Sequence, residues 1–280
     1  MSENVNFEMV LKTATGLPMV KIDRESFLQT ALAKYFDQEI IDKAIAENPA
    51  SAGISVEKIN EIAKNSINYE TTKVTALSTV AGIPGGLAMI GTVSADLAQY
   101  FGHMLRILQK LVYLYGWKEL FDENGNMDDE TANLLTLFTG VMFGVSGATS
   151  AVSKIAEKVA EHTAHNLAKK ALTKGAVYPI VKKIAGLLSI RMTKQIFAKG
   201  VSKIIPVLGG VASGALTFAT YKPMAEKLRK YLSGLNLADV EYYKNSRAST
   251  DNSCIVVEDY DEIFEESTED ILEDTVQTEE

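Results

Sequence analysis

Between Ile83-Pro84-Gly85-Gly86 and Tyr115-Gly116 the chain is almost wholly apolar and carries one polar line, Asp96, Gln99, His103, Arg106 and Lys110, spaced 3, 4, 3 and 4 apart. At about 100° per residue these five side chains share an arc of about 80°, leaving roughly 280° of helix surface apolar. A helix on the surface of a globular protein carries a much wider polar face. The run therefore predicts a helix buried on most sides, in a bundle or against lipid, with its polar line turned to a partner or a crevice.

The flanking sequence repeats the helical period. Residues 1 to 20 give little signal. From Asp23 the apolar positions Phe27, Leu28, Ala31, Leu32, Tyr35 and Phe36 continue through Ile40, Ile41, Ala44 and Ile45 to a stop at Glu47-Asn48-Pro49. Ser55 is placed to cap a helix whose buried face is Ile59, Ile62, Ala63 and Ile67, and that helix extends past Lys73. Ile83-Pro84-Gly85-Gly86 reads as a tight turn into the central helix. Asp128, Asp129 and Glu130 lie where acids favour a helix start, and the following run, Thr131 to Ser153, carries no charge. Its length permits a membrane span, but Gly140, Gly144, Ser146, Gly147, Thr149 and Ser150 dilute its apolarity, and a buried hairpin is the preferred reading. Gly140 and Gly144 form a GxxxG pair suited to close helix packing. A third uncharged run, Ile204 to Tyr221, opens with Gly209-Gly210 after Pro206, an echo of Gly85-Gly86 after Pro84. Together these readings predict an all-α bundle of long helical hairpins.

Charge is segregated. Residues 251–280 hold thirteen acids and no Lys or Arg, while residues 154–203 hold eleven basic residues against Glu157 and Glu161. The acidic segment is expected to stay unfolded. Short apolar clusters within it, Cys254-Ile255-Val256-Val257, Ile263-Phe264 and Ile271-Leu272, have the form of anchors that bind a protein partner, or the basic segment in cis. Residues 236–250 read as a polar linker. In the basic segment Ile180, Ile184, Leu188, Met192 and Ile196 recur every four residues, but Arg191 falls near their face, which predicts a break around Gly186 to Ser189. Lys182, Lys183, Lys194, Lys199 and Lys203 are the candidate contacts to anionic lipid; the competing reading is a solvated helix face. Nucleic acid is not expected, because the aromatic interleaving of a single-strand platform is missing.

The proline-glycine turn, Ala95-Asp96-Leu97-Ala98-Gln99 in a long apolar helix ending at Tyr115-Gly116, and Lys203-Ile204-Ile205-Pro206-Val207-Leu208-Gly209-Gly210 running into an alanine-rich helix resemble the bacterial EcsC family across roughly residues 55 to 233. Where the family pattern continues with an asparagine, this chain has Ala215-Leu216-Thr217-Phe218. The resemblance implies an α-helical, membrane-associated protein encoded near an ABC transporter, and no established reaction. It also divides the chain into an N-terminal helical segment (1–54) packing on the core, a helical core (55–235), and a linker with acidic tail (236–280).

Little in the sequence points to chemistry. There is no GxSxG, Walker A or GxGxxG pattern, and the single cysteine, Cys254, excludes an intramolecular disulfide or a multi-cysteine cluster. Asp96, Gln99 and His103 share a face, and Glu157, Glu161, His162 and His165 are spaced as helical metal ligands can be. Asp96, His103, His162 and His165 are thus weak metal candidates, and a metal-dependent helical hydrolase using the Asp96/Gln99/His103 face is the second reading. No cofactor is expected. The leading expectation is a non-enzymatic protein, cytoplasmic and peripheral at the inner membrane, held by glycine-rich hairpins and the basic segment beside a transporter. A soluble scaffold whose tail docks a partner is the third.

Overall fold

The computed structural model describes residues 6–17, 20–80, 95–122, 125–161, 177–192 and 211–249, and every regular element among them is helical. The fold is all-α. The turn at Gly85-Gly86, the Gly209-Gly210 turn and the acidic tail beyond residue 249 lie outside the described residues.

Helix α5 (Ala95–Leu114) is the centre of the bundle, in contact with α1 (Phe7–Thr15), α2 (Arg24–Leu32), α4 (Val56–Val80), α6 (Asp129–Phe143) and α9 (Val211–Leu232). Its apolar positions Phe101, Met104, Leu105, Leu108, Leu111 and Val112 are almost fully buried, as the narrow polar line requires. Among the described residues the most extensive helix contact is between α4 and α9. Helix α1 lies in the stretch that carries little sequence signal. It places Phe7, Val10, Leu11 and Ala14 on one buried face, and the Phe7 ring meets Phe101 edge-on at 5.9 Å. Nine residues are too few to be read against background, and a helix this short holds only by its packing.

The continuous pattern from Asp23 to Ile45 becomes two helices, α2 and α3 (Gln38–Ala46), folded into a hairpin. Side-chain bonds between Gln29 and Gln38 hold the pair, and Asp23 caps the first turn through Ser26 N–H. The apolar period survives across the turn, so periodicity alone does not distinguish one helix from two. Ser55 takes its expected place, accepting from Lys58 N–H.

The uncharged run Thr131 to Ser153 is not one span. It ends at Gly144, whose left-handed φ of 66° lets its N–H close on the carbonyls of Gly140 and Val141, and restarts as α7 (Ala148–Glu161) after a second left-handed glycine, Gly147. Among the described residues no helix is long and apolar enough to cross a membrane. The two glycines of the GxxxG pair therefore have different jobs. Gly144 terminates a helix, and Gly140 is the packing site: a Cβ there would stand 2.9 Å from both Ala148 Cβ and Ile184 Cγ2.

Two further expectations are corrected. The predicted break at Gly186 to Ser189 does not occur, because α8 (Val177–Met192) runs straight through it. Gly186 faces open space, while Ile180, Val181, Ile184, Ala185 and Leu188 bury the opposite side against α6 and α7. An outward glycine costs a helix about 1 kcal/mol, less than that apolar face recovers. Residues 236–249 are not an irregular linker either. They form a 3₁₀ turn (Asn236–Ala238) and α10 (Val240–Ser249), with Leu237 and Ala238 buried. Gly116 admits them: its φ is 96°, and a Cβ would lie 2.8 Å from the Leu237 carbonyl oxygen.

The α6/α8 contact yields a paired test. Gly140→Ala should destabilise the protein by about 1–3 kcal/mol through overpacking. Gly186→Ala, on the open face of α8, should stabilise it by up to about 1 kcal/mol. Urea midpoints at constant m-value measure both.

Candidate functional site

The polar line of α5 meets α4 at Glu70, a carboxylate that is 1 % exposed. The Lys110 ammonium donates to Glu70 Oε1 at 2.5 Å, and Arg106 donates through Nη2 and Nε to its two oxygens at 3.3 Å each. Lys110 also lies over the Phe27 ring at 5.3 Å and the Tyr69 ring at 5.5 Å, so aromatic faces take part of its solvation. Burial pushes the Glu70 carboxyl pKa up, but hydrogen bonds and charge from Lys110 and Arg106 outweigh it, and the net direction is down. Glu70 is ionised, and two cations share it.

One turn along, half-buried His103 is driven toward its neutral form. Burial lowers its pKa and Arg106 and Lys73 add to the effect, against an opposing pull from Glu70. His103 is therefore a neutral imidazole at pH 7. The same cations make the seam unfavourable for a divalent metal, and the Glu70 oxygens are already engaged by Lys110 and Arg106. Gln99 is half-buried on this face, and Asp96 sits at the start of α5 with its side chain outside the described set. Among the described residues no group of three His, Cys, Asp or Glu is arranged to hold a metal. Glu157 is exposed on α7, while His162 and His165 lie outside the described residues.

Several buried polar groups had no signature in the sequence. Arg24, 6 % exposed, donates to the carbonyl oxygens of Trp117, Ile45, Ala44 and Glu47, satisfying the free carbonyls at the end of α3, where Lys118 joins it. Burial lowers the Arg24 pKa, and the nearby Glu119 carboxylate opposes that. Glu119 in turn accepts from the Arg24 N–H and from the Tyr113 hydroxyl. Gln109, fully buried, accepts from Ile22 N–H and donates to the Val20 carbonyl, pinning the α1–α2 connection onto α5. At the α4–α9 contact, Asn60 Oδ1 accepts from both the Tyr115 hydroxyl and Arg229. Each is a long-range pairing that no local spacing announces.

The remaining feature is the outward side of α8. Tyr178 is 42 % exposed and Ile190 54 %, with exposed Lys182 between them and Lys183 half-buried beside it. The Lys182 ammonium lies 4.9 Å over the Tyr178 ring. Tyr178, Lys182, Gly186 and Ile190 follow each other at four-residue spacing along about 18 Å of helix, on the side opposite the buried face. The other lipid candidates, Lys194, Lys199 and Lys203, lie outside the described residues.

No family model, curated protein or solved structure matches the chain.

Two outcomes follow from the seam. Glu70→Gln removes the buried carboxylate that the half-buried Lys110 and Arg106 share and should cost about 3 kcal/mol in urea unfolding at pH 7. Wild-type stability should also fall as pH drops below about 4.5, the unfolded carboxyl value, and the fall should be smaller in the variant. For His103 the folded state resists protonation, so the unfolded state binds more protons below about pH 6.5 and stability falls with pH there. Thermal midpoints at pH 7.5 and pH 5.5 should separate more in wild type than in His103→Gln.

Proposed function

We propose that this chain is a non-enzymatic helical protein of the EcsC type that binds the cytoplasmic face of a bacterial membrane peripherally, beside a transporter, through the outward side of α8. The supporting observation is the row Tyr178, Lys182 and Ile190, in which two large apolar side chains and a lysine stand exposed on a helix whose other side is packed. A tyrosine ring and an isoleucine suit the headgroup boundary, the tyrosine keeping its hydroxyl in water. Lysines beside them meet lipid phosphates at about 1 kcal/mol each near an anionic surface. The helix is already ordered by its contacts with α6, α7 and α1, so binding carries no cost of folding it. The basic surplus of residues 154–203 supplies further attraction of the same sign. The polar seam between α4 and α5 serves stability in this reading.

Flotation with vesicles of phosphatidylglycerol and phosphatidylcholine, against phosphatidylcholine alone, tests it. Binding should require the anionic lipid and weaken sharply between about 0.1 M and 1 M salt, as screening shortens from about 10 Å to 3 Å. Lys182→Ala with Lys183→Ala should lower the vesicle partition about 30-fold, and Tyr178→Ser with Ile190→Ser should lower it without changing the salt slope. Equal binding to neutral vesicles, or none to either, would overturn the proposal.

A further inference from the structure

We propose that the acidic C-terminal segment, residues 251–280, docks in cis on the outward face of α8 and competes there with anionic lipid. The inference rests on the reading of that face as the lipid contact and adds its regulation.

The segment carries the same short pattern three times, two apolar residues followed by two acids: Val256-Val257-Glu258-Asp259, Ile263-Phe264-Glu265-Glu266 and Ile271-Leu272-Glu273-Asp274. The face of α8 offers the complement, Tyr178 and Ile190 flanking Lys182 and Lys183. One repeat brings two carboxylates to the lysine pair and a small apolar surface to the exposed ring or isoleucine. Acids alone would make a solvated tail. The recurrence of an apolar pair directly before each acid pair distinguishes a docking sequence from one that only adds charge.

Geometry permits the contact. Helix α10 ends at Ser249. From there an extended chain reaches up to about 46 Å at Ile263 and about 73 Å at Ile271. A compact body of some 250 residues has a radius of gyration of about 18 Å, so a path over its surface to the far side is about 73 Å: the third repeat reaches any of its faces and the second reaches more than half of them. Tethering also gives the repeats an effective concentration in the millimolar range, which makes weak individual contacts sufficient. Three equivalent repeats raise it further. An anionic membrane displaces them because it offers many phosphates at once, whereas each repeat offers two carboxylates.

A nitroxide on Thr268→Cys, with Cys254→Ser so that it is the single thiol, reports the docked state in the full-length chain without vesicles. Amide signals of Tyr178 to Ile190 should broaden while those of α3 keep their intensity. The broadening should disappear in Lys182→Ala with Lys183→Ala and in about 1 M salt. Mixing nitroxide-bearing chain with isotope-labelled chain that carries no nitroxide separates cis from trans: broadening that persists in the mixed sample would assign the contact to a second copy and overturn the proposal. No broadening of α8, or broadening that persists in the lysine variant, would also overturn it. Competition has its own arm. Serine at all six apolar positions of the repeats leaves the charge unchanged and should raise partition to anionic vesicles several-fold; unchanged partition would remove the competition. If neither chain binds vesicles while the broadening stands, the membrane reading fails and the docking survives.

Discussion

The ion pairs of Glu70 with Lys110 and Arg106 are the condition on which the bundle rests. Helix α5 is apolar around most of its circumference and, among the described residues, packs against five other helices, yet it carries cations. A buried cation without a counter-charge costs several kcal/mol, more than most apolar contacts return. One carboxylate from α4, at the depth of the core, resolves the conflict, and the rings of Phe27 and Tyr69 shelter the Lys110 ammonium beside it. The arrangement also fixes register, since sliding α4 by one turn along α5 would separate the charges. His103, neutral in the same seam, adds no third charge.

A second set of buried polar contacts secures the segments between helices. Arg24 closes the carbonyl end of α3 and ties it to Trp117, Gln109 holds the stretch before α2 against α5, and Gly116 leaves room for the Leu237 carbonyl. Each satisfies backbone groups that would otherwise be buried without a partner. In an all-α protein those groups collect at helix ends and connections, and that is where these residues sit.

Packing also bears on the exposed face of α8. Gly140 lets α8 approach α6 until Ile184 lies against its backbone, and Ser189 accepts from the Phe7 N–H at the start of α1. These contacts set the rotation of α8 about its axis. With that rotation set, Tyr178, Lys182 and Ile190 have no place in the core and face outward. The close glycine contact inside the bundle and the apolar-basic row outside it are two consequences of one helix orientation.

Much of the fold was legible in local spacing. The polar line of α5, the buried faces of α4 and α8, the cap at Ser55 and the acidic start of α6 were all readable, because a helix repeats its environment every three or four residues. The candidate features were legible only in part. The row of Arg106 and Lys110 was visible, but nothing in the local spacing marks Glu70, Arg24 or Gln109 as buried. The turn within residues 24–46 and the helical stretch after Leu235 have no local signature for a related cause: where an apolar period persists or lapses across a few residues, only the surrounding volume decides whether the chain bends. The sequence by itself determined that this protein is helical, that one helix lies at its centre, and that its charges are separated along the chain, since these properties depend on neighbours in the chain. The tertiary structure alone decided which acid neutralises that centre, which glycine brings helices together and which side of α8 meets the outside, since these depend on residues far apart in sequence sharing a low-dielectric interior.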